Sequence, residues 1–200
     1  MIIHQKPNKI ANKYSSEFAK NYKISDSIVR PMYIDILKQL TQNNTCENAL
    51  DLGCGTGRYF SFIHCINLTG VDSSIDMLRE AVNHYNKDNV HYQNLILNED
   101  SIQDFLNNGN GKGCYNFIYC IGVFGYHINI DEMLIRNVFD YLKAGGVFFC
   151  SISTRNTSLK AVKKCVAPIF IQNETYVKKP DFVGNNNYVP DPEIFVICRK

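Results

Sequence analysis

Asn48-Ala49-Leu50-Asp51-Leu52-Gly53-Cys54-Gly55-Thr56-Gly57 is the stretch whose reading decides the fold. Its first five residues form a short apolar run of the kind that makes a buried strand, and the glycines stop it. A glycine-rich nucleotide loop needs this context: a strand before it and a helix after it, here expected over residues 58–65. Without a Cβ, the backbone turns tightly and comes close to a ligand that a side chain would hold away. A lone Gly-x-Gly-x-Gly is a weak signal. It gains weight from the next strand, Leu68-Thr69-Gly70-Val71, which ends in Asp72, 15 residues after Gly57. A carboxylate at that strand end can accept hydrogen bonds from both hydroxyls of a ribose.

Two kinds of ligand compete for such a loop. Dinucleotide sites want Gly-x-Gly-x-x-Gly, with a third glycine where this chain has Arg58, and they seat a pyrophosphate on the helix start. Here the glycines follow an acidic residue, Asp51, which suits a ligand that carries an amino group and no phosphate. S-adenosylmethionine is such a ligand, and Arg58 counts against a nicotinamide dehydrogenase.

Outward from this stretch, short apolar runs alternate with helical patterns, as in an α/β domain with a mainly parallel sheet. Met32/Tyr33, Ile36/Leu37 and Leu40 recur at helical spacing before the first strand. Ser73, with Asp76 three residues on, marks a helix start, and Ile75, Leu78, Ala81 and Val82 give that helix an apolar face. A third strand is expected near 90–97 and a fourth at Asn116–Cys120. A helix over 131–143 is expected to end at Gly145-Gly146. Val147–Ile152 reads as strand five and 158–166 as a helix that stops before Pro168. Strand six falls at Phe170-Ile171 or Tyr176-Val177, and the last strand, near 193–198, lies antiparallel between its neighbours. Asn-rich stretches at 107–113 and 184–187 read as loops.

Two hundred residues suffice for one domain with a real core. The eight cysteines form no Cys-x-x-Cys pair and have no clustered histidines, so neither a metal site nor a disulfide framework is expected. The N-terminal apolar run is too short for a signal peptide, and no run approaches the roughly 20 residues that span a bilayer, which gives the cytoplasm as the expected compartment. Residues 51–150 carry 6 basic and 11 acidic side chains, whereas 151–200 carry 8 and 4. That is a solvated surface or a basic rim about an acidic, cation-binding centre. No continuous Lys/Arg run points to nucleic acid.

Ala49–Gly57 and Gly70-Val71-Asp72-Ser73-Ser74, followed by Met77-Leu78 and Ala81, resemble motifs I and II of the class I S-adenosylmethionine-dependent methyltransferases. Tyr115–His127 is similar to the family's fourth motif, and Tyr141–Val147 to its turn into strand five. The match covers about residues 46–153. It implies a single seven-stranded, doubly wound, Rossmann-like domain, with a helical lid or cap over 1–45 and a cofactor-binding core over 46–200. It implies that Asp51 and the loop of Gly53, Cys54, Gly55 and Gly57 hold the methionine part of the cofactor, with Asp72 and Ser73 at its ribose. Cys120 and Ile121 would line the floor beneath the sulfonium. Asp100-Ser101 would meet the adenine amino group, with Asp104 as a rival. Tyr14–Tyr22 is similar to the Tyr-rich lead-in of small-molecule methyltransferases, which makes Tyr22 and Arg30 candidates for the methionine end.

On this reading the chain transfers a methyl group to an O or N nucleophile of a small molecule. His127, just beyond strand four, is the candidate base, and Tyr126 with Phe124 forms one wall of the pocket. The family's Asn/Asp-Pro-Pro-Tyr/Phe signature is missing, with Cys120-Ile121-Gly122-Val123 in its place, and paired carboxylates of the metal-dependent catechol type are absent. The alternative is a cofactor-binding module without catalysis that serves as a partner or regulatory subunit. The oligomeric state is left open.

Overall fold

The computed structural model describes residues 2–4, 31–42, 46–85, 94–178 and 192–200. The chain forms two compact units, Met1–Phe105 and Leu106–Lys200.

Four parallel strands build the first unit: β1 (Ile2–His4), β2 (Asn48–Leu52), β3 (Asn67–Asp72) and β4 (Asn94–Glu99), side by side in the order β1-β4-β3-β2. Leu50, Leu52, Leu68 and Val71 are fully buried, the apolar pattern of a parallel sheet covered on its faces. All seven expected strands are present along the chain, and β1 is an eighth that the apolar pattern did not announce. Strand β4 sits a few residues later than expected, at 94–99. Helix α1 (Pro31–Gln42) buries Met32, Tyr33 and Leu37, and α2 (Ile75–Tyr85) buries Met77, Leu78 and Ala81. The cap of α2 is Ser74, one residue past the expected Ser73: its hydroxyl accepts from the Met77 N–H at 3.3 Å.

No helix forms over 58–65. The chain makes a single 3₁₀ turn, Phe60–Phe62, within a run of i→i+3 bonds: Gly57 N–H to the Cys54 carbonyl, Phe60 to Gly57, Phe62 to Tyr59 and Ile63 to Phe60. Tyr59 offers no capping side chain, and a run of aromatic residues has little helix propensity, so the tighter turn prevails.

In the second unit β5 (Tyr115–Phe124) runs parallel to β6 (Leu142–Ser153), and β8 (Glu193–Arg199) lies antiparallel between β6 and β7 (Gln172–Lys178). Of the two stretches proposed for strand six, Tyr176-Val177 belongs to it. Phe170 instead packs edge-on against Phe139 and stacks on Phe148, while Ile171 is 98% exposed. Helix α4 (Glu132–Tyr141) starts on Asp131, whose carboxylate accepts from the Leu134 N–H at 2.8 Å. It ends at Tyr141, short of the expected glycine stop, because buried Leu142 enters β6 directly. Gly145 does take a left-handed φ of 75°, but within an irregularity of β6, where its N–H bonds to the Lys200 carbonyl at 2.8 Å. Helix α3 (Ile102–Asn107) precedes β5, and α5 (Leu159–Val166) follows β6 where a helix was expected, capped by Ser158. Among the described residues no helix is long and apolar enough to cross a membrane.

Gly70 shows how tightly the first sheet is closed. A Cβ there would meet Leu97 Cδ2 at 2.8 Å, Cys54 Sγ at 2.9 Å and Phe60 Cζ at 2.9 Å, all in buried side chains. Overpacking of this kind costs about 1–3 kcal/mol. Gly70→Ala is therefore expected to lower the unfolding free energy by that amount, read as a lower urea midpoint with an unchanged slope; an unaltered midpoint would show that the three side chains yield freely.

Candidate functional site

Everything at the carboxyl end of β2 and β3 turns on backbone hydrogen bonds that the glycines make possible. The N–H groups of Gly53 and Cys54 both donate to the Val71 carbonyl, at 2.8 and 3.0 Å, and so pin the loop to the neighbouring strand. Gly53, Gly55 and Gly57 have φ of 77°, 54° and 74°, a region that L side chains rarely adopt. Around Gly55 there is space as well: among the described residues a Cβ would meet only Met77 Cε, at 3.6 Å.

Asp72 closes the arrangement. One carboxylate oxygen accepts from the Gly55 N–H at 2.8 Å, the other from the Ser74 N–H at 2.9 Å. A carboxylate has about four acceptor positions, so capacity remains for hydroxyl donors. Burial pushes the Asp72 carboxyl above its usual value, while the N–H groups of Ser74, Gly55 and Ser73 pull it down. Asp51 is buried within β2 at 4% exposure, opposite Gly70. The buried Cys54 thiol is pushed up by desolvation first and then by the charges of Asp72 and Asp51. The Cys54 side chain packs toward Gly70.

Beyond Asp72 the next strand supplies Glu99, its register partner, and Asp100, whose N–H donates to the Asp72 carbonyl at 3.1 Å. Both are buried, and desolvation raises the Asp100 carboxyl. Asp104 is exposed and occupied: it accepts from the Ser101 hydroxyl at 2.6 Å, and its own N–H donates back to Ser101 Oγ at 3.1 Å, so the pair caps α3. The geometry thus sets Asp100, not Asp104, beside Asp72. Sequence reading missed Glu99 and its buried neighbour Asn98, whose side-chain oxygen has no hydrogen-bond partner among the described residues. Two polar residues ending an apolar strand were the available signal.

These residues suit an adenosine-bearing cofactor without phosphates. A buried-side carboxylate with spare acceptor capacity and a left-handed loop stand together, while the turn after the loop is 3₁₀ and provides no α-helix N-terminus for a pyrophosphate.

In the second unit Cys120 is fully buried, and β5 bulges between Cys120 and Phe124, so that Ile121 is half-buried and the Gly122 N–H reaches Ser151 Oγ at 3.1 Å. The chain then turns: the N–H groups of Tyr126 and His127 both donate to the Val123 carbonyl, and that of Gly125 to Ile128. Tyr126 and His127 are exposed, with ring centroids 6.4 Å apart. Tyr22 and Arg30, with the Tyr14–Tyr22 segment, lie outside the described residues. Among the described residues no group of three or more His, Cys, Asp or Glu could hold a metal ion.

A family model described as "Methyltransferase domain" matches residues 26–177, well over half of the chain. The chain belongs to the methyltransferase domain family. No curated protein matches it. Among solved structures, it is similar to a chain of the complex between the Haloferax volcanii Trm112 methyltransferase activator and a candidate methyltransferase, with a TM-score of 0.68, 13% identity, and 95% of this chain and 97% of that one covered. A candidate S-adenosylmethionine-dependent methyltransferase of Listeria monocytogenes follows at 0.63 and 15%, covering 83% and 96%. The N-methyltransferase NodS of Bradyrhizobium japonicum, in complex with S-adenosyl-L-homocysteine, matches at 0.61 and 14%, covering 84% and 86%. The fold is the Rossmann-like methyltransferase fold, and the methyltransferase is an enzyme with S-adenosylmethionine as its cofactor.

The raised carboxyl of Asp72 has a signed consequence. Its ordinary value is about 3.9. Below that, its contribution to stability is intact; the contribution is lost as pH rises through the higher folded-state value, because charging the buried group opposes folding. Asp72→Asn cannot ionise, so its stability relative to wild type should improve as pH rises above ~4. Urea unfolding of both proteins at a series of pH values checks this, and a difference that stays flat or moves the other way would rule it out.

Proposed function

We propose that this methyltransferase acts on an O or N nucleophile of a small molecule, and that the Asp72 clamp between Gly55 and Ser74 is the grip on its cofactor. S-adenosylmethionine supplies an activated methyl group on a sulfonium, so the protein has mainly to position and to manage a proton. Good alignment of reacting groups contributes about 7–11 kcal/mol in favourable cases.

The Gly53–Gly57 loop, with Asp51 behind it, holds the methionine part. Asp72 accepts from the ribose hydroxyls, with the Ser73 backbone beside it. Asp100 and Ser101 face the adenine amino group, a role supported by the buried position of Asp100 next to Asp72 and by the engagement of Asp104 in a helix cap. Cys120 and Ile121 take the place beneath the sulfonium, and the bulge after Cys120 supports it by interrupting the ladder there. Tyr22 and Arg30 belong to the methionine end.

At the acceptor, Tyr126 is a wall and His127 the base that takes the proton of a hydroxyl or ammonium. The exposed turn 123–128 supports this reading, because it presents a phenol and an imidazole together just after Cys120-Ile121-Gly122-Val123, the residues that stand in place of the family's Asn/Asp-Pro-Pro-Tyr/Phe signature. The N-methyltransferase NodS, with the same fold, fits an N acceptor.

Incubation with methyl-labelled cofactor and a metabolite extract should place the label in a small-molecule product; label found in macromolecules alone would overturn the substrate class. Hydrogen bonds to a charged group contribute about 1.5–3 kcal/mol each. Asp72→Ala should therefore weaken cofactor binding by roughly tenfold or more in calorimetry, and an unchanged dissociation constant removes the ribose assignment. His127→Gln should bind cofactor normally and turn over ~10²–10⁴-fold more slowly; undiminished turnover excludes it as the base.

A further inference from the structure

Glu193 is the first residue of β8 and only 2% exposed. A carboxylate withdrawn from water is costly unless it has hydrogen-bond partners, so its place at the mouth of a strand calls for a reason. The Tyr126 hydroxyl lies 3.4 Å from Glu193 Oε1 and donates to it. Tyr126 itself is 37% exposed, so one end of the phenol faces solvent while its hydroxyl meets a buried acid.

The backbone around this pair is fastened from three sides. Gly125, which carries Tyr126, has a φ of 75°, and a Cβ there would run into the Ser153 carbonyl at 2.6 Å and the Ser153 nitrogen at 2.9 Å. The Asn156 amide donates to the Gly125 carbonyl at 3.1 Å. Thr154 Oγ1 donates to the Pro192 carbonyl at 2.7 Å, which fixes the entry into β8 immediately before Glu193. In the sheet Glu193 stands between Ser153 of β6 and Lys178 of β7. The ends of β6 and β8 thus hold the turn so that Tyr126 is directed at one buried oxygen.

We propose that Glu193 is a positioning residue for methyl transfer: it fixes the Tyr126 phenol in the orientation in which that ring lines the acceptor site. The proposal rests on the reading, given above, that the turn 123–128 faces the acceptor. Glu193 does not touch the substrate; it acts through Tyr126, so removing either partner of the pair has the same consequence.

The test is a double-mutant cycle on the full chain, read as transfer of label from methyl-labelled S-adenosylmethionine into the small-molecule fraction of a metabolite extract, at several extract concentrations. Tyr126→Phe and Glu193→Gln should each slow transfer by roughly tenfold, the size expected for one misdirected hydrogen bond of about 1.4 kcal/mol. The double variant should be no slower than either single one. Glu193→Asp, which keeps the charge but shortens the reach, should also lose activity, and thereby separates aim from charge. Cofactor affinity and the thermal midpoint of Glu193→Gln should stay at wild-type values, an outcome that a merely structural role for the acid would not give. If Tyr126→Phe transfers label at the wild-type rate, the reading of the turn as the acceptor wall fails. If Tyr126→Phe is slow while Glu193→Gln is normal, or if the two losses multiply in the double variant, the turn keeps its role and the coupling to Glu193 is overturned.

Discussion

The carboxylate of Asp72, held between two backbone N–H groups, is the constraint on which the first unit depends. One bond reaches across to Gly55 in the loop after β2, and the other reaches forward to Ser74 at the start of α2. A single side chain thereby sets the position of a loop and a helix entry at once. The loop can meet it because Gly53 and Gly55 take left-handed backbone conformations and because the Val71 carbonyl takes two N–H groups from the same loop. Burial makes this carboxylate harder to charge, and the surrounding N–H groups offset part of that cost.

The surroundings of that clamp are arranged to leave it no slack. Gly70, one strand residue away from Val71, lets Cys54, Phe60 and Leu97 converge on its α-carbon. The same convergence accounts for the form of the loop's exit. Phe60 is drawn fully into the core three residues after Gly57, and a sequence of i→i+3 turns brings it there. The missing helix and the packing beneath the loop are therefore one fact. It has a chemical correlate: without an α-helix N-terminus behind the glycines, the loop has hydrogen-bond donors but no helix dipole for a pyrophosphate.

The second unit follows a different logic. Its strands β6, β8 and β7 are antiparallel, and the polar groups at the end of β6 and the start of β8 fasten the turn 123–128. Ser151, Ser153 and Glu193 are buried polar residues there, in an otherwise apolar set of strands. Buried polar groups of this kind, when satisfied, specify one arrangement of the chain over others. Here the arrangement specified is that of an exposed tyrosine and an exposed histidine.

The local order of the chain was legible in its residues. The strand before the glycines, the acid that ends β3 and the helices that begin near 131 and 158 follow from short-range pattern and backbone chemistry. What sequence could not decide was every matter in which a distant group competes with a local preference. A helix was expected over residues 58–65 from its place after the glycine loop, but the uncapped aromatic run and the burial of Phe60 give a 3₁₀ turn, and Gly145-Gly146 reads as a helix stop until Leu142 is seen to pair with Tyr115. Ser101 engages Asp104 in a helix cap while the Asp100 N–H bonds to the Asp72 carbonyl, and the pairing of Tyr126 with Glu193 joins residues 67 positions apart. Composition and spacing record which groups are near in the chain; only folding brings together those that are near in space.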